Sequence, residues 1–270
     1  MSFEVRYIYF FIVCFSLLLS ACASNKKSLR EHQGTYLESV KLNFEAGEEA
    51  LKKEQYDKAI AYFQFVRSKY PFSKYAALSD LKIAAVKYQQ KKWLDAAGAY
   101  EVFIRMHPRH EELAYASYRL GESYFYAVPT GFFLYPEPAS REQTHSKEAL
   151  AALERFILQF PQSDYVPDAK KKLAAIYAML AKHDSLIADY YKRRGRYEAA
   201  IARYERVNEL YPETDESAEA LFQAAQIAKD NLKDEDRALS LLNQIVEQKP
   251  TSPYAKKARE MLNKFVPKAE

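Results

Sequence analysis

The sequence is poor in glycine and has no large excess of positive or negative charge. Only 6 glycines occur among 270 residues, which leaves few residues for the tight turns of β-sheets or for loops that cradle phosphates. Alanine, leucine, lysine, glutamate and tyrosine dominate, so we expect helices and almost no sheet. With 40 basic and 36 acidic residues, the net charge of +4 is too mild to favour nucleic-acid binding. A hydrophobic content of 49% excludes disorder of the whole chain.

The first 21 residues differ in composition from the rest of the chain. A short polar start precedes an apolar run over residues 7–19, and small residues follow that run. This arrangement predicts an export signal that is removed from the mature protein. The apolar run is shorter than the roughly 20 residues that a membrane-spanning helix needs, so a permanent anchor helix is the weaker alternative.

Cys22 closes this segment, and leucine, serine and alanine stand directly before it. These residues resemble the box at which bacterial lipoproteins are acylated, which implies that Cys22 carries a covalent lipid as the first mature residue. The alternative is an ordinary buried thiol. Cys14 lies in the removed segment, so the mature chain would have no further thiol for a disulfide or a zinc site. By resemblance to enterobacterial sorting, Ala23 favours the outer membrane, and residues 22–35 form a polar tether.

A fixed spacing between alanine and proline occurs five times in the rest of the chain. Each alanine stands twelve residues before a proline, and large apolar residues follow the alanine at four and seven positions. These positions lie on one face of an α-helix, which the proline then ends. The pairs are Ala59 and Pro71, Ala96 and Pro108, Ala149 and Pro161, Ala200 and Pro212, and Ala238 and Pro250.

These units match the helical hairpin of the tetratricopeptide repeat. Ala46, Gly47 and Ala50 occupy its small positions in the first unit, and Gly121 does so in the third. We predict an all-α fold, a tetratricopeptide-type α-solenoid of about five helical hairpins plus a C-terminal capping helix. The predicted segments are a signal peptide (1–21), a tether (22–35), repeats one to three (36–161) with a loop at 128–144, repeats four and five with the capping helix (162–265), and a tail (266–270).

Two repeats contain more residues than the common repeat length. In the third repeat the extra residues include three prolines and a glycine, so we expect a loop. In the fourth, residues 167–194 contain no internal proline or glycine, so we expect a longer first helix. Polar residues two positions after four of the prolines are predicted to cap the following helices, namely Ser73, Ser163, Thr214 and Ser252.

Several stretches go beyond the repeat pattern. They are Tyr70-Pro71-Phe72-Ser73-x-Tyr75, Phe103-Ile104 before Pro108-x-His110, Gly131-Phe132-Phe133 before Arg141-x-x-Thr144, Phe160-Pro161-x-Ser163-x-Tyr165, and Ala188-x-Tyr190-Tyr191-x-x-Arg194-Gly195-x-Tyr197-x-Ala199-Ala200-x-x-Arg203. Together they resemble the BamD, or competence lipoprotein, family over the chain from Phe44 to about Pro250. The loop departs from that family's pattern because Ser140, and not an acidic residue, precedes Arg141.

The resemblance implies a non-catalytic lipoprotein scaffold of the outer-membrane β-barrel assembly (BAM) complex, anchored by lipid at the periplasmic face of the outer membrane. Its C-terminal repeats would bind a BamA-type barrel insertase, and its N-terminal repeats would hold targeting segments of unfolded outer-membrane proteins. Other BAM lipoproteins are further candidate partners. The candidate residues on the insertase side are Arg194, Arg203, Tyr190 and Tyr191, and those of the loop are Phe132, Phe133 and Arg141. For the arginines the alternative is a solvated helix face.

The family's repeat numbering assigns several aromatic residues to one surface of the stack. The first helix of each repeat forms this surface. Targeting segments alternate apolar residues and end in an aromatic residue, so they would bind there in extended form. The alternative is that these aromatics pack between helices, which is usual for an aromatic residue at helical spacing. The predicted groove residues are Phe44, Glu48, Tyr88, Tyr115, Tyr118 and Phe125, accompanied by Lys41, Leu81 and Glu122.

Other functions find less support in the sequence. The only close histidine pair, His107 and His110, is interrupted by Pro108, and no carboxylate pair can be placed in a cleft. We predict no catalytic residue, no metal and no cofactor apart from the lipid on Cys22. The main alternative is another periplasmic tetratricopeptide lipoprotein that scaffolds cell-wall or Tol–Pal envelope proteins. A lytic cell-wall enzyme would need a catalytic domain, and only twenty residues follow Pro250.

Overall fold

The computed structural model describes residues 36–129 and 142–265, and within them the chain forms eleven α-helices and no strand. The helices are α1 (Tyr36–Lys52), α2 (Tyr56–Lys69), α3 (Lys74–Gln89), α4 (Trp93–Met106), α5 (Leu113–Ala127), α6 (Thr144–Gln159), α7 (Val166–Arg193), α8 (Tyr197–Leu210), α9 (Asp215–Ile227, continued by a π-helical turn, Ala228–Leu232), α10 (Glu235–Gln248) and α11 (Pro253–Leu262). The predicted all-α fold of five helical hairpins with a final helix is confirmed. Cys22, the signal peptide, the tether, Phe132, Phe133, Arg141 and the tail lie outside the described residues.

The chain divides into two compact units between Ser79 and Asp80, inside α3. The predicted segment boundary after Pro161, which separates repeats three and four, stays a prediction. Helices α5, α6 and α7 share one core, to which Tyr118, Phe156 and Ile176 contribute from the three helices. Packing therefore continues through the turn that contains Pro161.

The alanine-to-proline spacing identifies the core of each hairpin. All five alanines are fully buried, and the apolar residues four and seven positions later are at most 1% exposed. They belong to the second helix of each hairpin, where the small alanine lets the neighbouring helix approach. Burial of a large apolar side chain stabilises the fold by about 1.5–3 kcal/mol. The residues at the later positions are Phe63 and Val66, Tyr100 and Phe103, Leu153 and Phe156, Tyr204 and Val207, and Leu242 and Ile245.

The five prolines lie in turns of one geometry. The residue before each proline has φ between −132° and −128° and ψ between 51° and 58°. In the first turn the Tyr70 N–H donates to the Val66 carbonyl at 2.9 Å, and the Tyr70 carbonyl accepts from the Ser73 N–H at 3.0 Å. Proline has no N–H to extend the helical ladder, and its fixed φ suits the second position of a turn. Each second helix therefore ends in the same way.

The predicted helix caps are only partly confirmed. Thr214 and Ser252 accept hydrogen bonds from backbone N–H groups of α9 and α11. Ser73 directly precedes α3, and its hydroxyl donates to the Tyr70 carbonyl at 2.9 Å. The prediction for Ser163 is wrong because α7 begins only at Val166, so the serine lies in the connection before the helix.

The longer helix and the capping helix are both present. Helix α7 spans 28 residues, as the lack of internal breakers predicts. Helix α11 packs Ala255 and Ala258 into the core beside α10, while Lys256, Lys257, Arg259 and Glu260 are exposed. It ends at Leu262, three residues before the predicted end.

Two glycines permit close contact within hairpins. A Cβ atom on Gly47 would lie 2.7 Å from Phe63, and one on Gly121 would lie 2.6 Å from Leu153. Both partners stand four residues after the repeated alanine. In contrast, a Cβ on Gly98, in the exposed part of α4, would meet no atom within 4 Å.

We predict that Gly121→Ala lowers the free energy of unfolding by about 1–3 kcal/mol, because the added methyl group overpacks the contact with Leu153. Gly98→Ala is the matched control and should raise that free energy by up to about 1 kcal/mol through helix propensity. Urea titrations followed by far-ultraviolet circular dichroism measure both changes. Equal stabilities of the two variants would contradict the packing argument.

Candidate functional site

One face of α5 supplies the centre of the candidate site. Tyr115, Tyr118, Arg119 and Glu122 are separated by three or four residues and therefore share a side of the helix. The Arg119 guanidinium lies 4.7 Å from the ring centroid of Tyr88, 5.2 Å from that of Tyr115 and 5.8 Å from that of Tyr118. Cation–π attraction at these distances holds the arginine among three tyrosines.

Glu122 is a buried carboxylate whose side chain is 6% exposed. It forms an ion pair with Arg119 on its own helix, and the Lys172 Nζ of α7 lies 3.1 Å from its Oε1. The Tyr118 hydroxyl donates to the same Oε1 at 2.8 Å. Lys172, 9% exposed, also pairs with Asp168 one helical turn earlier. Two cations thus balance two carboxylates, which buried charges require.

The pKa values follow from these contacts. Burial raises the pKa of Tyr118, and its hydrogen bonds to Asp168 and Glu122 raise it further. Hydrogen bonds from Lys172 and Tyr118 lower the pKa of Asp168. Burial opposes the charged form of Lys172, but its two carboxylate partners outweigh burial and raise its pKa. Tyr118 therefore stays neutral, Asp168 ionised and Lys172 protonated near neutral pH.

Further aromatic rings extend this cluster to the surface. Tyr165 stacks on Tyr118 with centroids 4.7 Å apart and an interplanar angle of 10°. Trp93 lies 5.1 Å from both Tyr88 and Tyr126. Tyr126 and Tyr165 are 43% and 36% exposed. We call this set the aromatic–ionic cluster: Tyr88, Trp93, Tyr115, Tyr118, Arg119, Glu122, Phe125, Tyr126, Tyr165, Asp168 and Lys172.

The structure brings four of the predicted groove residues into this cluster, namely Tyr88, Tyr115, Tyr118 and Phe125. Phe44 differs from the expectation of a surface position, because its ring is 5% exposed and packs against Phe63 and Tyr75 in the first unit. Leu81 is likewise buried in a core. Glu48 is half-buried in the first unit, and Lys41 there is exposed and pairs with Glu45 at 3.6 Å.

Sequence reasoning missed six members of the cluster: Trp93, Arg119, Tyr126, Tyr165, Asp168 and Lys172. The contact between Tyr118 and Asp168 joins residues 50 positions apart, and no local pattern predicts it. A usable signal exists on α7, where Tyr165, Asp168 and Lys172 follow a spacing of three and four and so share a face.

The predicted insertase-side residues lie around the turn between α7 and α8. Arg194 is exposed, and its guanidinium lies 5.3 Å from the ring centroid of Tyr190, which is 48% exposed. Tyr191 contacts Tyr190 edge-on at 5.8 Å and packs on the core. Gly195 makes the turn with φ of +68°. Arg203 is half-buried on α8.

His107 and His110, in the turn after α4, each form a hydrogen bond. His107 Nε2 lies 3.0 Å from Asp80 Oδ2, and His110 Nδ1 accepts from the Glu112 N–H at 3.1 Å. Across residues 36–129 and 142–265, no three histidine, cysteine or acidic side chains are placed to hold a metal ion. In the same ranges, no helix combines the length and apolarity needed to cross a membrane.

The model of the YfiO family, described as outer membrane lipoproteins, matches residues 38–237. The chain belongs to this family. The resemblance seen in the sequence is therefore confirmed over most of the chain, including the helices that carry the aromatic–ionic cluster and the α7–α8 turn. Family membership associates the protein with the outer membrane.

YfiO-family relatives named outer membrane protein assembly factor BamD share about a quarter of their residues with this chain. The protein of Neisseria gonorrhoeae is 28% identical over 211 residues, which cover 77% of this chain and 79% of the relative. That of Neisseria meningitidis serogroup B is 27% identical over 247 residues, covering 90% and 92%. The TPR2AB domain of yeast Sti1 in its pHSP90 complex is 15% identical, with coverages of 83% and 84% and a TM-score of 0.39. That score is too low to support the fold, which rests on the hairpins themselves.

We predict that Glu122→Gln lowers the free energy of unfolding by about 1–3 kcal/mol, because the amide cannot compensate the buried charges of Arg119 and Lys172. Glu154→Gln is the control, since Glu154 is an exposed carboxylate that also accepts a tyrosine hydrogen bond, from Tyr177. It should change that free energy by no more than about 0.5 kcal/mol. Denaturant titration measures both, and similar losses in the two variants would show that the buried pairing is not stabilising.

Proposed function

We propose that this protein is a non-catalytic, lipid-anchored scaffold that takes part in the assembly of outer membrane proteins from the periplasmic face of the outer membrane. Its membership of the YfiO family and the names of its relatives support this role. The structural observation that carries it is the aromatic–ionic cluster, a preformed set of rings and balanced charges that reaches the surface. The alternative of a cell-wall or Tol–Pal scaffold has no comparable support among these relatives.

The cluster has the chemistry to hold an extended segment of an unfolded outer-membrane protein. Tyr126 and Tyr165 present exposed rings against which alternate apolar side chains would pack. Tyrosine hydroxyls and the partly exposed Arg119 offer polar partners for the segment's backbone groups. Because Glu122 and Asp168 already compensate the cations, the site needs no charged ligand to be stable. Capture of apolar and aromatic side chains is therefore the interaction that it favours.

Trp93 allows this proposal to be tested directly. It is the only tryptophan of the chain, and its ring contacts Tyr88 and Tyr126. We predict that a tryptophan-free peptide of alternating apolar residues ending in phenylalanine changes the Trp93 emission in a saturable way. Tyr165→Ala should weaken binding about fivefold to 100-fold, since truncating an aromatic anchor costs about 1–3 kcal/mol.

Tyr190→Ala is the matched control for Tyr165→Ala, because Tyr190 is an exposed tyrosine near the other end of α7. This variant should bind the peptide as the wild type does. No emission change in the wild type, or an equal loss of affinity in both variants, would refute binding at the cluster.

The α7–α8 turn is our proposed docking site for a BamA-type barrel insertase. Arg193, Arg194 and Arg196 are exposed there, and the ring of Tyr190 lies beside Arg194. An arginine fork beside an exposed aromatic ring suits an acidic partner surface, because it binds carboxylates bidentately. Arg203, which follows on α8, would extend this surface.

We predict that Arg194→Glu reduces co-purification of the insertase with this protein, because the reversed charge repels an acidic partner. Arg109→Glu, an equal change at an exposed position of the turn after α4, should leave the yield unchanged. Quantitative pull-down from solubilised membranes measures both. An unchanged yield with Arg194→Glu would favour a solvated helix face.

The proposed membrane anchor is the lipid on Cys22. Two or more acyl chains hold a protein stably at a bilayer, whereas one chain gives marginal binding. We predict that Cys22→Ala moves the protein from the membrane fraction to the soluble periplasmic fraction. Retention of the variant in membranes would contradict lipid anchoring at this residue.

A further inference from the structure

A second surface lies on the opposite face of α5 from the aromatic–ionic cluster. Ser117, Leu120 and Tyr124 of α5 form the floor of a trough of about 390 Å³ between α4 and α6. At 3.6 residues per turn, these three positions point away from Tyr118 and Glu122. The trough is therefore separate from the site proposed for unfolded proteins.

The floor of this trough is apolar and its walls are charged. Leu120 and Ala152 are each 9% exposed, and Phe156 is fully buried beneath them. The wall residues, by contrast, are exposed charged or polar side chains: Glu101, Arg105, Glu148, Arg155 and Gln159. An apolar strip with a charged rim has the composition of a docking surface.

The charges of the rim are sorted by sign along the trough. Glu101 and Arg105 stand on the α4 wall, and Glu148 and Arg155 on the α6 wall. Arg105 follows Glu101 by one helical turn, and Arg155 follows Glu148 by two. Along each wall the charge therefore changes from acidic to basic in the same chain direction.

The two walls change sign in the same direction because α4 and α6 are parallel to each other. Tyr118 contacts Phe156 while Gly121 faces Leu153, so α5 and α6 are antiparallel. Helices α4 and α5 are joined by a short turn, which makes them antiparallel neighbours too.

The two arginines of the rim have no ion-pair partner in the described part of the chain. Among the residues that the structure describes, Arg105 and Arg155 form no ion pair. Glu148 pairs with a neighbouring histidine of its own helix, His145, at 3.1 Å. The rim charges are thus available to a partner with the complementary pattern.

We propose that this trough docks an α-helix of a partner protein that carries an apolar stripe with a basic residue at one end and an acidic residue about two turns away. Glu148 and Arg155 are separated by seven residues, which is about 10.5 Å along a helix. Residues i and i+7 of a docked helix match that distance on one face, whereas neighbouring side chains of an extended strand alternate between faces. The proposal is independent of the function proposed for the cluster.

The trough suits a helix better than a small molecule. Its volume falls near the lower end of the range of about 300–1,000 Å³ found for small-ligand sites. Such sites bury most of their ligand, but the walls of this trough are exposed side chains. A helix laid in a groove needs only one apolar face covered.

The test uses the full-length protein in detergent and three fluorescein-labelled helical peptides with one shared apolar stripe. The first carries lysine and glutamate seven residues apart, the second carries lysine at both positions and the third glutamate at both. The first should bind roughly threefold to tenfold more tightly than the others, because each of the others replaces one exposed ion pair by a like-charge contact. Equal affinities for the three peptides would overturn the proposal.

Charge reversal provides the decisive comparison. Arg105→Glu with Arg155→Glu makes both ends acidic and should transfer the preference to the double-lysine peptide. The control, Arg109→Glu with Arg206→Glu, applies the same change at exposed arginines outside the trough and should keep the original preference. An unchanged preference in the first double variant would contradict docking in the trough.

A bulky side chain introduced into the trough tests whether the peptides bind there. Ala151 is an exposed wall residue, so Ala151→Trp should abolish binding of all three peptides without disturbing the core. Binding that survives this change would contradict the proposed location. Binding of the small anionic aromatic dye 1-anilinonaphthalene-8-sulfonate in the trough, without binding of any peptide, would assign the trough to small ligands and would also contradict the proposal.

Discussion

The carboxylate of Glu122 lies in the interior of the second unit, where an unpaired charge would cost several kcal/mol. Its compensation comes from Arg119 on the same helix and from Lys172 on α7. The pairing therefore ties together two helices from consecutive hairpins. It also fixes the cations against the tyrosine rings, so that Tyr118 and its stacking partner Tyr165 are held in place before any ligand arrives. When the side chains of a binding surface are already held in place, less conformational entropy is lost on association.

Helix α5 separates two surfaces with different chemistry. Its face with Tyr118 and Glu122 contributes rings and internally balanced charges, whereas its face with Leu120 and Tyr124 contributes an apolar floor between charged walls. Gly121 lies between these faces and brings α6 within contact of α5. The close packing of this hairpin therefore holds the α6 wall of the trough against its α5 floor.

The local features of the fold could be predicted from the sequence because they depend on residues close in the chain. A proline ends its own helix, and the alanines that precede the prolines pack in the core because i, i+4 and i+7 share a face. The predicted cap at Ser163 failed because α7 starts later than the spacing suggests. Phe44 could not be assigned correctly from repeat position alone, since the neighbours that bury it, Phe63 and Tyr75, come from other helices.

The candidate site was predictable only in part. The repeat positions predicted Tyr88 of α3 and Tyr115, Tyr118 and Phe125 of α5, whereas Lys172 and Tyr165 reach the cluster through the stacking of one hairpin on the next. That stacking depends on how well two helix surfaces fit together, which short-range periodicity does not encode. The contact of Lys172 with Glu122 could therefore be found only in three dimensions.

The central claim is that the aromatic–ionic cluster is where this scaffold holds extended apolar segments. Hydrogen–deuterium exchange of the full-length protein, with and without a saturating peptide of alternating apolar residues ending in phenylalanine, tests it most directly. We predict slower exchange in α5 (Leu113–Ala127) and in the first turns of α7 (Val166–Arg193), with no change in α10 (Glu235–Gln248). Slower exchange in α10 with α5 and α7 unaffected would contradict the claim.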